Sequence, residues 1–271
     1  MKIRDLFAAE DRSAIEKYCR QHTQQAYLGD HTALCRVLGQ FLMYVDTRDL
    51  SLAPHLLMNG YWEMWVTQAI VDYVKPGMRC IDVGANFGYF ALLLAELAGD
   101  KGEVIACEPQ KRVFDLLVSS TVVNGAMVRP IWAAISDLPG QAQLYVHDLM
   151  LGSASLGVFE GAYQQASTVP VLTLDEFVRT PVDFVKIDVQ GHEMNVLWGM
   201  EEVIKRSPKI AIAMEFTPAE HEDPLAALKE IQSYDLSIRT IGTDGQVRPI
   251  KLEDAAKADT GDHRMLWLSK G

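Results

Sequence analysis

The sequence predicts an α/β fold: a doubly wound, mostly parallel sheet with an antiparallel C-terminal strand, preceded by a partly helical N-terminal extension. Three observations carry that expectation. Cys80 to Tyr89 reads as a strand, a glycine loop and the start of a helix, and Glu108 closes the next apolar run. Beyond it, apolar runs of strand length alternate with amphipathic helical stretches as far as residue 232, the pattern of stacked strand–helix units. The last two apolar runs, 236–240 and 264–269, read as closing strands around Asp244-Gly245.

Each element follows from local pattern. Residues 1–60 read as an extension, with helical stretches over 11–25 and 32–38 and an extended segment over 41–46; residues 61–271 form the main domain. Trp62, Trp65, Val66, Ala69, Ile70 and Tyr73 recur at helical spacing, and Pro76-Gly77 stops that helix before a strand over 78–83. A helix over 90–98, a strand over 103–107 and a helix over 111–123, stopped by Asn124-Gly125, come next. A strand over 128–136 leads to a hairpin signalled by Leu138-Pro139-Gly140, with its strand over 142–146. The Gly-, Ser- and Ala-rich segment 152–167 reads as a mobile loop at the ligand edge of the sheet. Strands over 182–189 and 209–216 each precede a helix, over 192–205 and 224–232.

The chain has 271 residues, 49% hydrophobic and 23% charged, enough for one large core. A formal net charge of −11 disfavours nucleic-acid partners, whose phosphates are neutralised by clustered Lys and Arg. No apolar run reaches membrane-spanning length, and the N-terminal stretch MKIRDLFAAEDR interrupts its short apolar run with acids, so a soluble cytoplasmic protein without membrane partners is expected. Cys19, Cys35, Cys80 and Cys107 lack CxxC pairing; the first two fall in expected helices, the last two in buried neighbouring strands, and all four read as reduced thiols. His192 and Glu193 open HEMNV, but Val196 replaces the second histidine of a zinc-protease motif.

The glycine loop brings a ligand onto bare backbone, and Glu108 is placed to hold ribose hydroxyls. The loop lacks the third glycine of a dinucleotide fingerprint, and Asn86 stands at its middle position. Asp82 would repel a pyrophosphate there but attract the ammonium and sulfonium of S-adenosyl-L-methionine (SAM), which is therefore the expected cofactor. An NAD-dependent oxidoreductase would need the missing glycine.

Four blocks resemble the FkbM family of class I SAM-dependent methyltransferases: VDTRDLSLAPHLLMNGYWE from Val45, KPGMRCIDVGANFGYFALLLAE from Lys75, LTLDEF with VDFVKIDVQGHEMNVLWGM up to Met200, and IAMEFTP from Ile212. The resemblance implies a Rossmann-like methyltransferase sheet, with Asp82, Gly84, Asn86 and Gly88 around the methionine part of SAM and Glu108 on the ribose. It further implies adenine contact by Asp137, closure over SAM by Tyr61, Trp62 and Glu63, and a DxxGxE motif in Asp188 and Glu193. Gln190 stands where the family usually carries Glu.

Methyl transfer needs alignment and a base for a weakly nucleophilic acceptor. Asp188 and Glu215, at neighbouring strand ends, are the first candidates, with His192 and Glu193 as further ones; Asp188 also belongs among the cofactor contacts. Helix capping is the structural alternative for Asp188, and a helix-dipole contact for Glu193. Strand alternation puts Lys186 on the face of Asp188, where the two can pair. Asp188 with Glu215 could also hold Mg²⁺, although two acids without a third ligand make no metal site of their own. The family associates with O-methylation of a hydroxyl on a sugar, glycan or secondary metabolite. N-methylation of an amide or amine on a peptide, and non-catalytic SAM binding, are the alternatives. Acceptor identity and oligomeric state are not encoded legibly.

Overall fold

The chain opens with α1 (Ile3–Ala9) and α2 (Arg12–His22), the latter capped by Asp11, whose carboxylate accepts from Ala14 N at 2.9 Å. An antiparallel meander follows: β1 (Gln25–Gly29), β2 (Thr32–Val37) and β3 (Phe41–Asp46). The helix expected over 32–38 is thus a strand, Cys35 lies in it, and the helix expected over 11–25 stops at His22. The physical reason is a period of two: Ala33, Cys35 and Val37 are buried while their neighbours are half-exposed, and the chain reverses at Leu38 and Gly39, both at positive φ. In the computed structural model, residues 2–9, 11–147, 150–156, 165–257 and 263–270 are described.

After α3 (Ala53–Asn59), α4 (Met64–Tyr73) begins three residues later than expected, because Glu63 sits in the left-handed region with φ 34°. Strand and helix then alternate through β4 (Arg79–Val83), α5 (Tyr89–Ala98), β5 (Glu103–Cys107), α6 (Lys111–Val123) and β6 (Val128–Ile131). Cys80 and Cys107 lie buried in the neighbouring strands β4 and β5, and all four cysteines are free thiols. The single strand expected over 128–136 is split. β6 ends at Ile131, and β7 (Ala134–Ile135) leaves for a second sheet with β8 (Gly140–His147), β9 (Met150–Ser155) and β10 (Gln165–Leu172). Pro130, which has no N–H to donate, suits the edge position of β6. The loop expected over 152–167 is therefore strand at both ends, and its centre, 157–164, lies outside the described residues.

The remaining elements are α7 (Leu174–Phe177), β11 (Phe184–Ile187), α8 (Glu193–Trp198), α9 (Glu201–Arg206), β12 (Ala211–Phe216), α10 (Pro224–Ser233), β13 (Ser237–Ile241), β14 (Val247–Pro249), α11 (Leu252–Ala255) and β15 (Arg264–Ser269). One helix was expected over 192–205, and two form. A Cβ on Gly199 would stand 1.9 Å from Ser136 O, so the chain is pressed against the backbone that follows β7 there. Asp175 then starts α9 afresh by accepting from Glu202 N and Val203 N at 3.0 and 2.8 Å.

The main sheet runs β14-β13-β15-β12-β11-β4-β5-β6, parallel from β12 to β6 and antiparallel through β15, β13 and β14. The C-terminal part thus contributes three antiparallel strands, where the sequence suggested two. Its central strands are buried on both faces. Ile81, Val83, Val185, Ile187, Ile212 and Met214 pack on one face, with α8, α9 and α10. Cys80, Phe184, Ala211, Ala213 and Trp267 pack on the other, with α4, α5 and the N-terminal segment. The carboxyl ends of β4, β5, β11 and β12 consequently line up along one edge. Among the described residues no helix is long and apolar enough to cross a membrane.

Candidate active site

A cavity of about 190 Å³ opens at that edge. Its floor is the loop after β4. Gly84 has φ 80°, and a Cβ there would lie 1.8 Å from Asp188 O, so only glycine lets β4 and β11 end side by side. Asn86, at φ 50°, turns the chain so that its N–H donates to Glu108 Oε2 at 2.9 Å, while Gln110 N donates to Glu108 Oε1 at 2.8 Å. Burial nevertheless pushes the Glu108 carboxyl up to about 7, against those two amides. Gly88, at φ 99°, starts α5 against Leu117.

Lys186 is the organising charge. Its side chain is 2% exposed, its Nζ lies 2.8 Å from Asp188 Oδ2, and it stands 4.6 Å from the Phe90 ring centroid. Burial alone would strip its proton, but Asp188, Asp82 and Glu63 hold it well above its ordinary value. The acids outnumber it. Asp82, 1% exposed beneath the loop, is raised to about 6 by burial against the pull of Lys186, and Glu63 to about 7 by burial and by Asp188. Both Asp82 oxygens and Glu63 Oε2 are buried without a hydrogen-bond partner among the described residues.

Asp188 and Glu215 behave as one unit. Burial would raise Asp188, but Lys186 and the neighbouring donors hold it below its usual value, whereas burial and the Asp188 charge drive Glu215 far above its own. The pair therefore holds one proton near neutrality, on Glu215. Gln190 Nε2 bridges the two, 3.2 Å from Asp188 Oδ1 and 3.0 Å from Glu215 Oε2, and its φ of 55° puts it there. Glu193 Oε1 ties down the same turn by accepting from Gly191 N at 3.1 Å and Val189 N at 3.4 Å; burial pushes its carboxyl up to about 7.

Of the residues singled out in the sequence, Trp62, Glu63, Gly84, Asn86, Glu108, Lys186, Asp188, Gln190, His192 and Glu215 line the cavity, and Tyr61 does not. Asp82, Gly88 and Glu193 stand behind that lining. Asp137 does not reach it and instead accepts from Ser136 Oγ at 2.8 Å and Asn195 Nδ2 at 3.0 Å. Asp188 spends its carboxylate on Lys186 and Gln190 rather than on a helix cap, and the start of α8 has no side-chain cap. Leu156 also lines the cavity, within the segment 152–167 expected at the ligand edge, as do Ser51 and Leu52 within the first of the four family blocks; sequence reasoning missed Leu144 and His263, from the second sheet and the entry to β15. Their only signal was adjacency to elements whose packing depends on tertiary structure. No group of three or more metal-ligating side chains occurs among the described residues.

A doubly wound sheet with a glycine loop after its first strand, an acid closing the second and further acids at the ends of β11 and β12 defines a class I methyltransferase fold. Residues 82–238 match the family model described as Methyltransferase FkbM domain, and the chain belongs to that family of SAM-dependent methyltransferases. Among curated proteins it is similar to the hexuronic acid methyltransferase AglP of Haloferax volcanii, 27% identical over 128 residues, covering 46% of this chain and 50% of the relative. It is also similar to the ribosomal RNA large subunit methyltransferase E of Acidithiobacillus ferrooxidans, 36% identical over 88 residues, 31% of this chain and 39% of the relative. The chain thus spans half or less of the length of these relatives. Similar solved structures include M. jannaschii TYW2 in complex with AdoMet, with TM-score 0.49, 14% identity, and coverage of 90% of this chain and 87% of that one. Another is the methyltransferase FkbM of Methylobacillus flagellatus, with TM-score 0.43, 15% identity and coverage of 76% and 54%.

Proposed function

We propose that the protein transfers the methyl group of SAM to a hydroxyl of a sugar, glycan or related metabolite. The observation that carries this reading is the Asp188–Glu215 pair, bridged by Gln190 at the cavity edge beside buried acid oxygens without a hydrogen-bond partner among the described residues. The site fits SAM: the unpartnered Glu63 Oε2 at the cavity and the charge of Asp82 close behind its lining suit a ligand bearing an ammonium and a sulfonium, Glu108 suits a ribose diol, and the bare backbone at Gly84 admits close approach. SAM, when bound, supplies a methyl group on a cationic sulfur with a neutral thioether as leaving group.

The chain's own contribution is orientation and proton handling. Asp188, held ionised by Lys186, accepts the hydrogen bond of an acceptor hydroxyl and fixes its direction. Glu215 carries the pair's proton near neutrality, which leaves Asp188 as the carboxylate able to take the one the hydroxyl releases. Gln190 keeps the two carboxyl groups in register. The segment before residue 60, a separate unit in the sequence, closes one wall through Ser51 and Leu52. A sugar acceptor also agrees with the name of the archaeal relative. A nucleic-acid acceptor, which the ribosomal relative would suggest, is disfavoured by the net charge of −11 and by the acids at the cavity.

The test is transfer from methyl-labelled SAM to uronic acids, neutral glycans, peptides and RNA, with the methylated atom located by NMR. Transfer to oxygen of a sugar is expected, and exclusive transfer to nitrogen or RNA would reject the reading. Asp188→Asn should retain S-adenosylhomocysteine binding while turnover falls by about 10²–10⁴; unchanged turnover removes Asp188 from the mechanism.

A further inference from the structure

The network behind His192 decides which of its ring nitrogens can accept a hydrogen bond. Donors on Asn195 and Ser136 hold the half-buried Asp137 below the ordinary carboxylate range, so it is ionised near neutrality and only accepts. The Ser136 hydroxyl has one proton, and it goes to Asp137. Toward His192 Nε2, 3.0 Å away, Ser136 Oγ can therefore only accept, and Nε2 must carry the ring proton. Burial lowers the imidazole's proton affinity, so the ring is neutral and Nδ1 keeps its lone pair. No hydrogen bond from a described residue occupies Nδ1. The Asp137 carboxylate opposes that effect of burial on His192.

His192 lines the cavity on the side of Ala133, Ala134 and Ile135, joined to that wall through Ser136. If Glu108 holds the ribose and the acids hold the methionine end, the base extends toward this apolar side with Pro109. Adenine has one N–H donor group, the 6-amino group; its ring nitrogens accept. We infer that His192 Nδ1 accepts from the 6-amino group of the cofactor's adenine, and that Ser136, Asp137 and Asn195 act as positioning residues that bar the other tautomer. The inference rests on the SAM reading above. It gives the site selectivity for adenosine over inosine, whose O6 would meet a second lone pair. Accommodating O6 would require a proton on Nδ1, with Ser136 turned away from Asp137.

Calorimetric titration of the full chain with S-adenosylhomocysteine and S-inosylhomocysteine tests this without needing an acceptor. The unaltered protein should bind the inosyl ligand ~10-fold or more weakly. His192→Phe should abolish most of that preference. Ser136→Ala, which frees the tautomer but leaves the imidazole, should bring the two affinities within about threefold. Thermal melts establish that both variants are folded. Equal affinities in the unaltered protein overturn the inference, as does a preference that survives in either variant. Failure of the folded, unaltered protein to bind S-adenosylhomocysteine at all would instead overturn the SAM reading, and the inference with it.

Discussion

Replacing Lys186 by Met removes the one positive charge among Glu63, Asp82, Asp188 and Glu215 while keeping most of the side-chain volume. At the observed 2.8 Å and an effective dielectric near 20, its attraction to Asp188 is about 6 kcal/mol. The several kcal/mol needed to dehydrate the ammonium partly offsets that. A loss of about 3–5 kcal/mol is expected, which lowers the melting temperature by roughly 10 °C. The loss must depend on pH in a defined direction. In the unaltered protein Asp188 titrates below its unfolded value near 3.9, so its stabilising part is present above about pH 4 and disappears as the pH falls further. In the variant its folded value rises above the unfolded one, so the protein weakens progressively as pH rises from about 4. Urea unfolding at pH 5 and pH 8 reads both quantities: the difference between the proteins should be much larger at pH 8. A difference below about 1 kcal/mol, or one equal at both pH values, would refute the view that Lys186 holds these acids in their charged form.

Two further outcomes follow from the same structure. Glu63 and Asp82, raised to about 7 and about 6 without ligand, are protonated in part near neutrality, so a cationic ligand that favours their charged forms should bind more tightly as pH rises. SAM affinity should increase about tenfold between pH 5.5 and 8, more than that of the uncharged-sulfur product; calorimetry showing parallel profiles would reject the placement of the sulfonium near these acids. Arg112 ties the N-terminal meander to α6, its Nε 3.0 Å from the fully buried Asp46 and its Nη2 2.6 Å from Thr32 Oγ1. Arg112→Ala should cost about 1–3 kcal/mol and speed hydrogen exchange in β1–β3 selectively; uniform acceleration across the main sheet would count against that role.

The parts of the fold that were legible in the sequence are those whose signal is local. The helix 111–123 and the strand 264–269 match the expected limits because Asn124-Gly125 stops the one and a dense apolar run defines the other. The run 32–38 was misread because Ala33, Leu34, Arg36 and Leu38 favour a helix, whereas Thr32 and Val37 favour a strand, and over so few residues a period of two competes with a helical reading. Gly199 gave no sign of breaking a helix, since the cause is Ser136, distant in sequence. At the site, Asp188, Glu215 and Glu108 were visible as acids at strand ends. The departure of β7 from the main sheet, which turns Asp137 away and brings His192 to the wall, depends on pairing with β10 and has no local signature.

Gln190 shows why the acids at this edge are arranged for ligand chemistry rather than for stability. Buried acids grouped around one lysine weaken a fold relative to apolar residues of similar size, and their raised proton affinities show that the resting protein relieves the charge by protonation. A Glu at 190, the residue the family usually carries, would place another carboxylate about 3 Å from both Asp188 and Glu215. The amide instead donates to each, and so holds the pair together while lowering the negative charge that an acceptor must face. An acceptor that itself carries a carboxylate, such as a uronic acid, would be repelled less by this edge than by one with Glu, so Gln190→Glu should shift acceptor preference away from acidic sugars toward neutral ones. Competition between the two acceptor types in a single methylation assay measures that shift, and an unchanged ratio would mean that the acceptor does not approach Gln190.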